Sequence, residues 1–127
     1  VASPRILVAD DDEDLLRFVR VTLTRVGYDV LEAGNGRQAL ELARAHRPDL
    51  AVLDVMMPEV DGCEVTRRLR ADAATRHMPV ILLSAWAQRE DVARGMAAGA
   101  TDYVTKPVSI EVLRARVRAA LEDGSTR

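Results

Sequence analysis

The chain has 127 residues, 48% hydrophobic and 30% charged, with a net charge of −2. That length fits one domain with a core of its own, and the charge balance excludes a strongly basic nucleic-acid or membrane surface. A single cysteine, Cys63, excludes an internal disulfide and fits a reducing compartment. No apolar stretch approaches bilayer length and no signal peptide is visible, so the expectation is a cytoplasmic protein that inserts in no membrane. The first residue is Val1 rather than Met, as in a trimmed or excised piece.

In chain order, a short apolar run, Ile6-Leu7-Val8-Ala9, ends at Asp10-Asp11. Leu15, Val19, Leu23 and Val26 follow at helical spacing, with Gly27 as the stop. A second apolar run occupies 28–33. A helix is predicted over 36–45 with Ala39, Leu40 and Ala43 inward, ending before Pro48. Leu50-Ala51-Val52-Leu53 closes on Asp54, and a helix over 63–71 points Val65 and Leu69 inward. Val80-Ile81-Leu82-Leu83 closes on Ser84, and a helix over 89–98 ends at Gly99. Tyr103-Val104-Thr105 leads to Lys106-Pro107, and Ser109 caps a last helix that buries Val112, Leu113, Val117 and Leu121.

Runs this short and dense in Val, Ile and Leu read as strands buried on both faces. Their alternation with helices predicts an α/β fold, a doubly wound five-stranded parallel sheet. The expected domain covers 5–121, with flexible tails at 1–4 and 122–127.

In such a sheet the carboxyl ends of the strands share one edge, where open α/β folds place ligands. Asp10, Asp11, Asp54, Ser84 and Lys106 all fall there. Two unit charges about 4 Å apart repel by roughly 4 kcal/mol at an effective dielectric of 20. A hard divalent cation such as Mg²⁺, which takes oxygen ligands, removes most of that cost. Three carboxylates and one ammonium carry a charge of −2, which one Mg²⁺ cancels. A carboxylate can attack phosphorus to give an acyl phosphate, a transfer that needs alignment and charge neutralisation more than other covalent help.

The stretches Ile6 to Asp11, Leu53-Asp54-Val55-Met56-Met57-Pro58, Asp61-Gly62, Leu83-Ser84-Ala85 and Gly99 to Pro107 together resemble the receiver domain of two-component response regulators. The resemblance covers nearly the whole chain. It implies a flavodoxin-like (βα)5 sheet with strand order 2-1-3-4-5. It also implies that Asp54 is the phosphoacceptor and Asp11 the direct acidic Mg²⁺ ligand, with Asp10 acting through water. Met56 would supply a backbone carbonyl to the metal. Ser84 and Lys106 would contact the phosphoryl group, Tyr103 would be the aromatic switch, and the Lys106-Pro107 bond would be cis. The Asp61-Gly62 pair makes Gly62 a structural position.

The implied partners are a histidine kinase or a histidine phosphotransfer protein, and an output domain or downstream protein. The signalling face would be built from the fourth helix, fifth strand and fifth helix. The chain would not be a dedicated enzyme; it would catalyse its own phosphoryl transfer and slow hydrolysis. A winged-helix subclass dimerises through that face, but Thr101 and Val108 depart from its usual Asp and Phe. A monomer or weak dimer is therefore expected, with Arg114, Arg116 and Arg118 as a solvated face.

Three alternatives are weaker. A flavin-binding relative of this topology needs a Ser/Thr/Gly-rich phosphate loop where this chain has Asp10-Asp11-Asp12-Glu13-Asp14. An aspartate-nucleophile phosphatase needs an acid at the position of Met56. A phosphate-blind pseudo-receiver would lack Asp11, Asp54 or Lys106, and all three are present. Asp12 reads as a helix-start residue, Cys63 as an unreactive thiol, His46 and His77 as surface residues, and Met56 and Met57 side chains as packing. Trp86 either packs against neighbouring loops or borders the site. No output motif is visible before Arg127, which leaves a stand-alone regulator, a phosphorelay shuttle or a domain of a longer protein open.

Overall fold

The computed structural model describes residues 3–125, with side chains through 123. Strands β1 (Arg5–Ala9), β2 (Asp29–Ala33), β3 (Leu50–Asp54), β4 (Val80–Ser84) and β5 (Asp102–Thr105) alternate with helices α1 (Glu13–Val26), α2 (Gly36–His46), α3 (Gly62–Ala71), α4 (Arg89–Ala97) and α5 (Ile110–Ser125). The strands form one parallel sheet in the order β2-β1-β3-β4-β5. The expected doubly wound topology is the one observed.

Alternate side chains of each strand enter opposite faces, and two cores result. Leu7, Ala9, Ala51, Leu53, Val80 and Leu82 pack with Ala39, Leu40, Val65 and Leu69 of α2 and α3. Ile6, Val8, Leu50, Val52, Ile81 and Leu83 pack with Val19 and Leu23 of α1 and with Leu113 and Val117 of α5. The central strands are buried on both faces as expected. The edge strands β2 and β5 are only partly so, because each has one neighbour rather than two.

The helix starts are capped by short polar side chains, which satisfy backbone donors that would otherwise lack partners. Asp12 caps α1 by accepting from the amides of Asp14 and Leu15, and Asp61 caps α3 through the amide of Glu64. Ser109 accepts from the amide of Val112. Gly27 ends α1 at φ 112°.

Several inward assignments differ. Val112 is 41% exposed, because the inward stripe of α5 runs through Leu113, Val117 and Ala120 and leaves Val112 about 100° away. Val26 is exposed on the last turn of α1, beside α5. Met57 is buried, but the Met56 side chain points outward from the loop after β3 and does not pack.

Helix α5 continues through Ser125, so residues 122–125, read as part of a tail, are helical. The Ala120 and Leu121 turn carries the helix on, since both residues are strong helix formers. At the other end the Pro4 carbonyl already accepts from the Asp29 amide at 3.0 Å. Residues 1–2 and 126–127 of the expected tails lie outside the described residues.

Candidate functional site

Asp10, Asp11 and Asp54 converge at the carboxyl edge of the sheet. One carboxylate oxygen from each lies within 4.8 Å of the others. Asp54 is the last residue of β3, and its register partner on β4 is Leu83. Asp10 immediately follows β1 and is tied to the loop by its Oδ1, which accepts from the Asp12 amide at 2.9 Å. Asp10 and Asp54 are buried, whereas Asp11 is exposed. The ammonium of Lys106 joins the cluster from beyond β5. Its Nζ lies 3.0 Å from Asp54 Oδ1 and 3.4 Å from Asp10 Oδ2.

The electrostatics follow from this packing. Burial pushes the Asp10 carboxyl up to about 6. The Asp12 amide pulls against that, the Asp54 charge adds to it, and Lys106 resists it. Burial alone would lower the pKa of Lys106. The hydrogen bond and charge of Asp54, with those of Asp10, overcome it and hold the ammonium above its ordinary value. Hard oxygen donors in such a set fit a hard divalent cation. One ammonium opposing three carboxylates leaves the negative charge that a cation would balance.

The Lys106-Pro107 bond is cis, as the resemblance implies. Gly62 opens α3 against the backbone of Asp54, where an added Cβ would lie 2.4 Å from the Asp54 carbonyl oxygen. Any side chain there would displace the strand end that carries Asp54.

Ser84 ends β4 and is fully buried. The structure brings it to the same edge, and among the described residues its side chain is hydrogen-bonded to the Trp86 amide rather than to a carboxylate. Its Oγ accepts from the Trp86 amide at 3.0 Å, which leaves its own proton available to donate. The Trp86 carbonyl in turn accepts from the Tyr103 hydroxyl at 2.7 Å. Sequence reasoning considered Trp86 only for its indole; its backbone is what joins Ser84 to Tyr103. The indole is 42% exposed and lines an open groove of about 420 Å³ with Asp11, Met56 and Asp61.

Gly95 of α4 is a further residue that the sequence reading passed over. A Cβ there would meet the Tyr103 ring at 2.8 Å. Helix α4 can lie over Tyr103 only because that position has no side chain. The available signal was an isolated glycine inside a helical pattern.

The remaining candidates stay outside this cluster. Thr101 Oγ1 accepts from the Val80 amide at 3.0 Å, a structural bond at the start of β4. Arg116 pairs with both oxygens of Asp102 at 2.8 Å within the chain. Cys63 is buried, and burial raises its pKa, so it is not an activated thiol. His46 and His77 are exposed.

Residues 6–118 match the family described as response regulator receiver domain. The chain is 46% identical over 118 residues to the DNA-binding dual master transcriptional regulator RpaA of Synechocystis, an alignment covering 93% of this chain and 49% of that protein. It is 46% identical over 121 residues to the transcriptional regulatory protein AfsQ1 of Streptomyces coelicolor, covering 95% and 52%. The chain therefore spans about half the length of these relatives. Among solved structures, the receiver domain of the Francisella response regulator 1452 superposes with a TM-score of 0.89 at 36% identity, covering 95% of this chain and 98% of that one. The Vibrio cholerae chemotaxis protein CheY4 gives 0.89 at 31% identity, covering 94% and 99%. An acidic cluster fitted to a cation, at the carboxyl edge of a five-stranded sheet of this order, accords with these matches: the chain belongs to the response regulator receiver domain family.

Proposed function

We propose that residues 5–121 form a phosphoacceptor module that takes a phosphoryl group on Asp54 from a histidine kinase or a histidine phosphotransfer protein. The observation that carries this reading is the Lys106 ammonium set 3.0 Å from Asp54 and 3.4 Å from Asp10, beside a third carboxylate, Asp11. An Asp54 oxygen attacks phosphorus, the phosphorus–nitrogen bond of the donor breaks, and the electron pair stays on the imidazole. The product is an acyl phosphate. Asp10, Asp11, Asp54 and the Met56 carbonyl would hold Mg²⁺, which when bound supplies charge neutralisation for the phosphoryl oxygens. Lys106 gives those oxygens a fixed cation, and Ser84 donates its free proton to them.

The switch follows from the same contacts. Once Ser84 turns to the phosphoryl group, the loop carrying Trp86 moves with it, because the Trp86 amide is bonded to that hydroxyl. The Tyr103 hydroxyl then loses its carbonyl partner in its present place, and Tyr103 favours an inward rotamer. The face built from α4, β5 and α5 changes shape and is read by an output domain or a downstream protein. Only contacts that differ between two states can shift their populations, and Ser84 supplies that difference.

The module acts in the cytoplasm, contacts no nucleic acid or membrane itself, and hydrolyses its own acyl phosphate slowly. A monomer or weak dimer is supported by the Arg116–Asp102 pair, which uses within one chain two charges that a dimer ladder would need. No helix among the described residues is long and apolar enough to cross a membrane.

The test is intact-mass measurement after treatment with acetyl phosphate, with and without Mg²⁺, on wild type and Asp54→Asn. One Mg²⁺-dependent phosphoryl adduct, absent from the variant, is expected. No adduct in the wild type, together with no beryllofluoride-induced change in Trp86 fluorescence, would point to a pseudo-receiver instead.

A further inference from the structure

Helix α2 opens on a glycine with no room beside it. A Cβ on Gly36 would lie 2.0 Å from the carbonyl oxygen of Val60 and 3.0 Å from its carbonyl carbon. Gly34, in the same turn, would meet nothing nearer than Gln38 Oε1 at 3.8 Å. The crowding therefore belongs to position 36. Val60 crowns the loop between β3 and α3, which leaves Asp54 and returns at Gly62.

That crown is strained. The Val60 amide donates to the Pro58 carbonyl at 2.8 Å, which closes a γ-turn on Glu59. Glu59 there has φ 68°, in the left-handed region. A γ-turn of this sign is rare for a residue with a side chain, and it persists only where its surroundings hold it. Glu59 itself is exposed, so its side chain does not do so. The packing of Val60 on Gly36 does.

The foot of the loop is fixed. The Val55 amide donates to the Leu83 carbonyl at 2.9 Å, and the Val55 carbonyl accepts from the Gly62 amide at 3.0 Å. The start of α2 is fixed as well. Asn35 Oδ1 accepts from the Gln38 amide and Gln38 Oε1 from the Gly34 amide, both at 2.8 Å, and Ala39 and Leu40 sit in the core. A methyl group at position 36 therefore displaces the crown and neither the helix nor the foot. Residues 56–60 take up the shift, and the first peptide among them carries the Met56 carbonyl.

From this we infer that Gly36 is a positioning residue for the cation of the acidic cluster. By seating Val60 it keeps the Glu59 turn closed, and through that turn it holds the Met56 carbonyl in place as a metal ligand. The inference rests on the phosphoacceptor reading, in which that carbonyl and the three carboxylates hold Mg²⁺. Groups outside the ligand set commonly change metal affinity by about 10–100-fold when lost, because they fix where the ligands point.

The test compares the full chain with Gly36→Ala and, as a control, Gly34→Ala. Mg²⁺ affinity is taken by isothermal titration, and the initial rate of labelling by acetyl phosphate is followed as Mg²⁺ rises. Gly36→Ala should raise the Mg²⁺ Kd by about tenfold or more, and Gly34→Ala should leave it within about twofold. At saturating Mg²⁺ the Gly36→Ala rate should return to nearly that of the wild type, because Asp54 and Lys106 have not moved. A merely structural role would lower the melting temperature and leave the Kd of the folded protein unchanged.

Two variants at the exposed position 59 test the turn without touching α2. Glu59→Pro fixes φ near −65° and opens the turn, so it should raise the Kd as Gly36→Ala does. Glu59→Gly adopts φ 68° freely and should bind Mg²⁺ as the wild type does. These keep the inference open to refutation if Gly36→Ala does not fold. A wild type that binds Mg²⁺ and takes label, beside a Gly36→Ala or Glu59→Pro protein of unchanged Kd, would overturn this inference and leave the phosphoacceptor reading standing. A wild type that neither binds Mg²⁺ nor takes label would overturn both.

Discussion

The Tyr103 hydroxyl donates to the Trp86 carbonyl across 2.7 Å, and this one bond ties β5 to the loop that follows Ser84. Because the same loop holds the Ser84 Oγ through the Trp86 amide, strand, loop and hydroxyl move as a set. Removing the phenol oxygen with Tyr103→Phe costs about 1 kcal/mol or less, since the bond is at the surface. The expected result is faster hydrogen exchange at the Trp86 and Ala87 amides with little change in melting temperature. Unchanged exchange would show that the bond does not restrain the loop.

Asp10 is a charge held at a cost. With its carboxyl raised from 3.8 to about 6, the metal-free fold carries a penalty at neutral pH of up to about 3 kcal/mol. Asp10→Asn keeps an oxygen for the Asp12 amide and removes the charge. In EDTA the variant should be more stable than the wild type by about 1–3 kcal/mol, while its Mg²⁺ affinity falls. Chemical denaturation at pH 7.5 and a Mg²⁺ titration read the two effects separately. A destabilised variant would contradict this account of the site's charge.

The same shift sets a pH dependence. Between the unfolded value of 3.8 and about 6 the folded chain holds the Asp10 proton more tightly than the unfolded chain does. Asp10's contribution to metal-free stability is therefore most favourable below about pH 4 and is lost as pH rises through 6. On the proposed reading Mg²⁺ displaces that proton, so its affinity should fall by up to about tenfold per unit below pH 6 and level off above it. Isothermal titration between pH 5 and 8 would show a flat profile if Asp10 takes no part.

The Trp86 indole borders the groove that also exposes Asp11 and Met56. Trp86→Ala leaves both backbone bonds of residue 86 in place and widens the groove that exposes Asp11 and Met56. Loss of phosphoryl label after removal of acetyl phosphate should accelerate by about threefold or more, equivalent to ~0.7 kcal/mol in the barrier. An unchanged lifetime would mean that the indole only packs against its neighbours.

Much of this molecule was legible in the chain itself. The carboxyl-terminal ends of the apolar runs were marked by Asp10, Asp54, Ser84 and Lys106, because a buried parallel strand is a nearly unbroken apolar run and the polar residue after it marks where the run ends. Parallel order brought three carboxylates and Lys106 together as expected. The caps at Asp12 and Ser109 and the stop at Gly27 were readable for a similar reason, since they solve a local hydrogen-bonding problem.

Other features required the folded chain. The outward position of Val112 depends on which stripe of α5 meets the sheet, and α5 offers two apolar stripes one residue apart. The Ser84–Trp86–Tyr103 chain of bonds passes through backbone groups, which every residue has and no composition distinguishes. Gly95 matters only because the Tyr103 ring lies against it. The raised Asp10 carboxyl comes from burial and from Asp54, a neighbour 44 positions away. The seat of the Val60 carbonyl on Gly36 likewise joins residues far apart in the chain. Local pattern and strand-end chemistry could be read residue by residue. Packing register, backbone bonding and the field at a buried group could not, because each depends on residues that only the fold brings near.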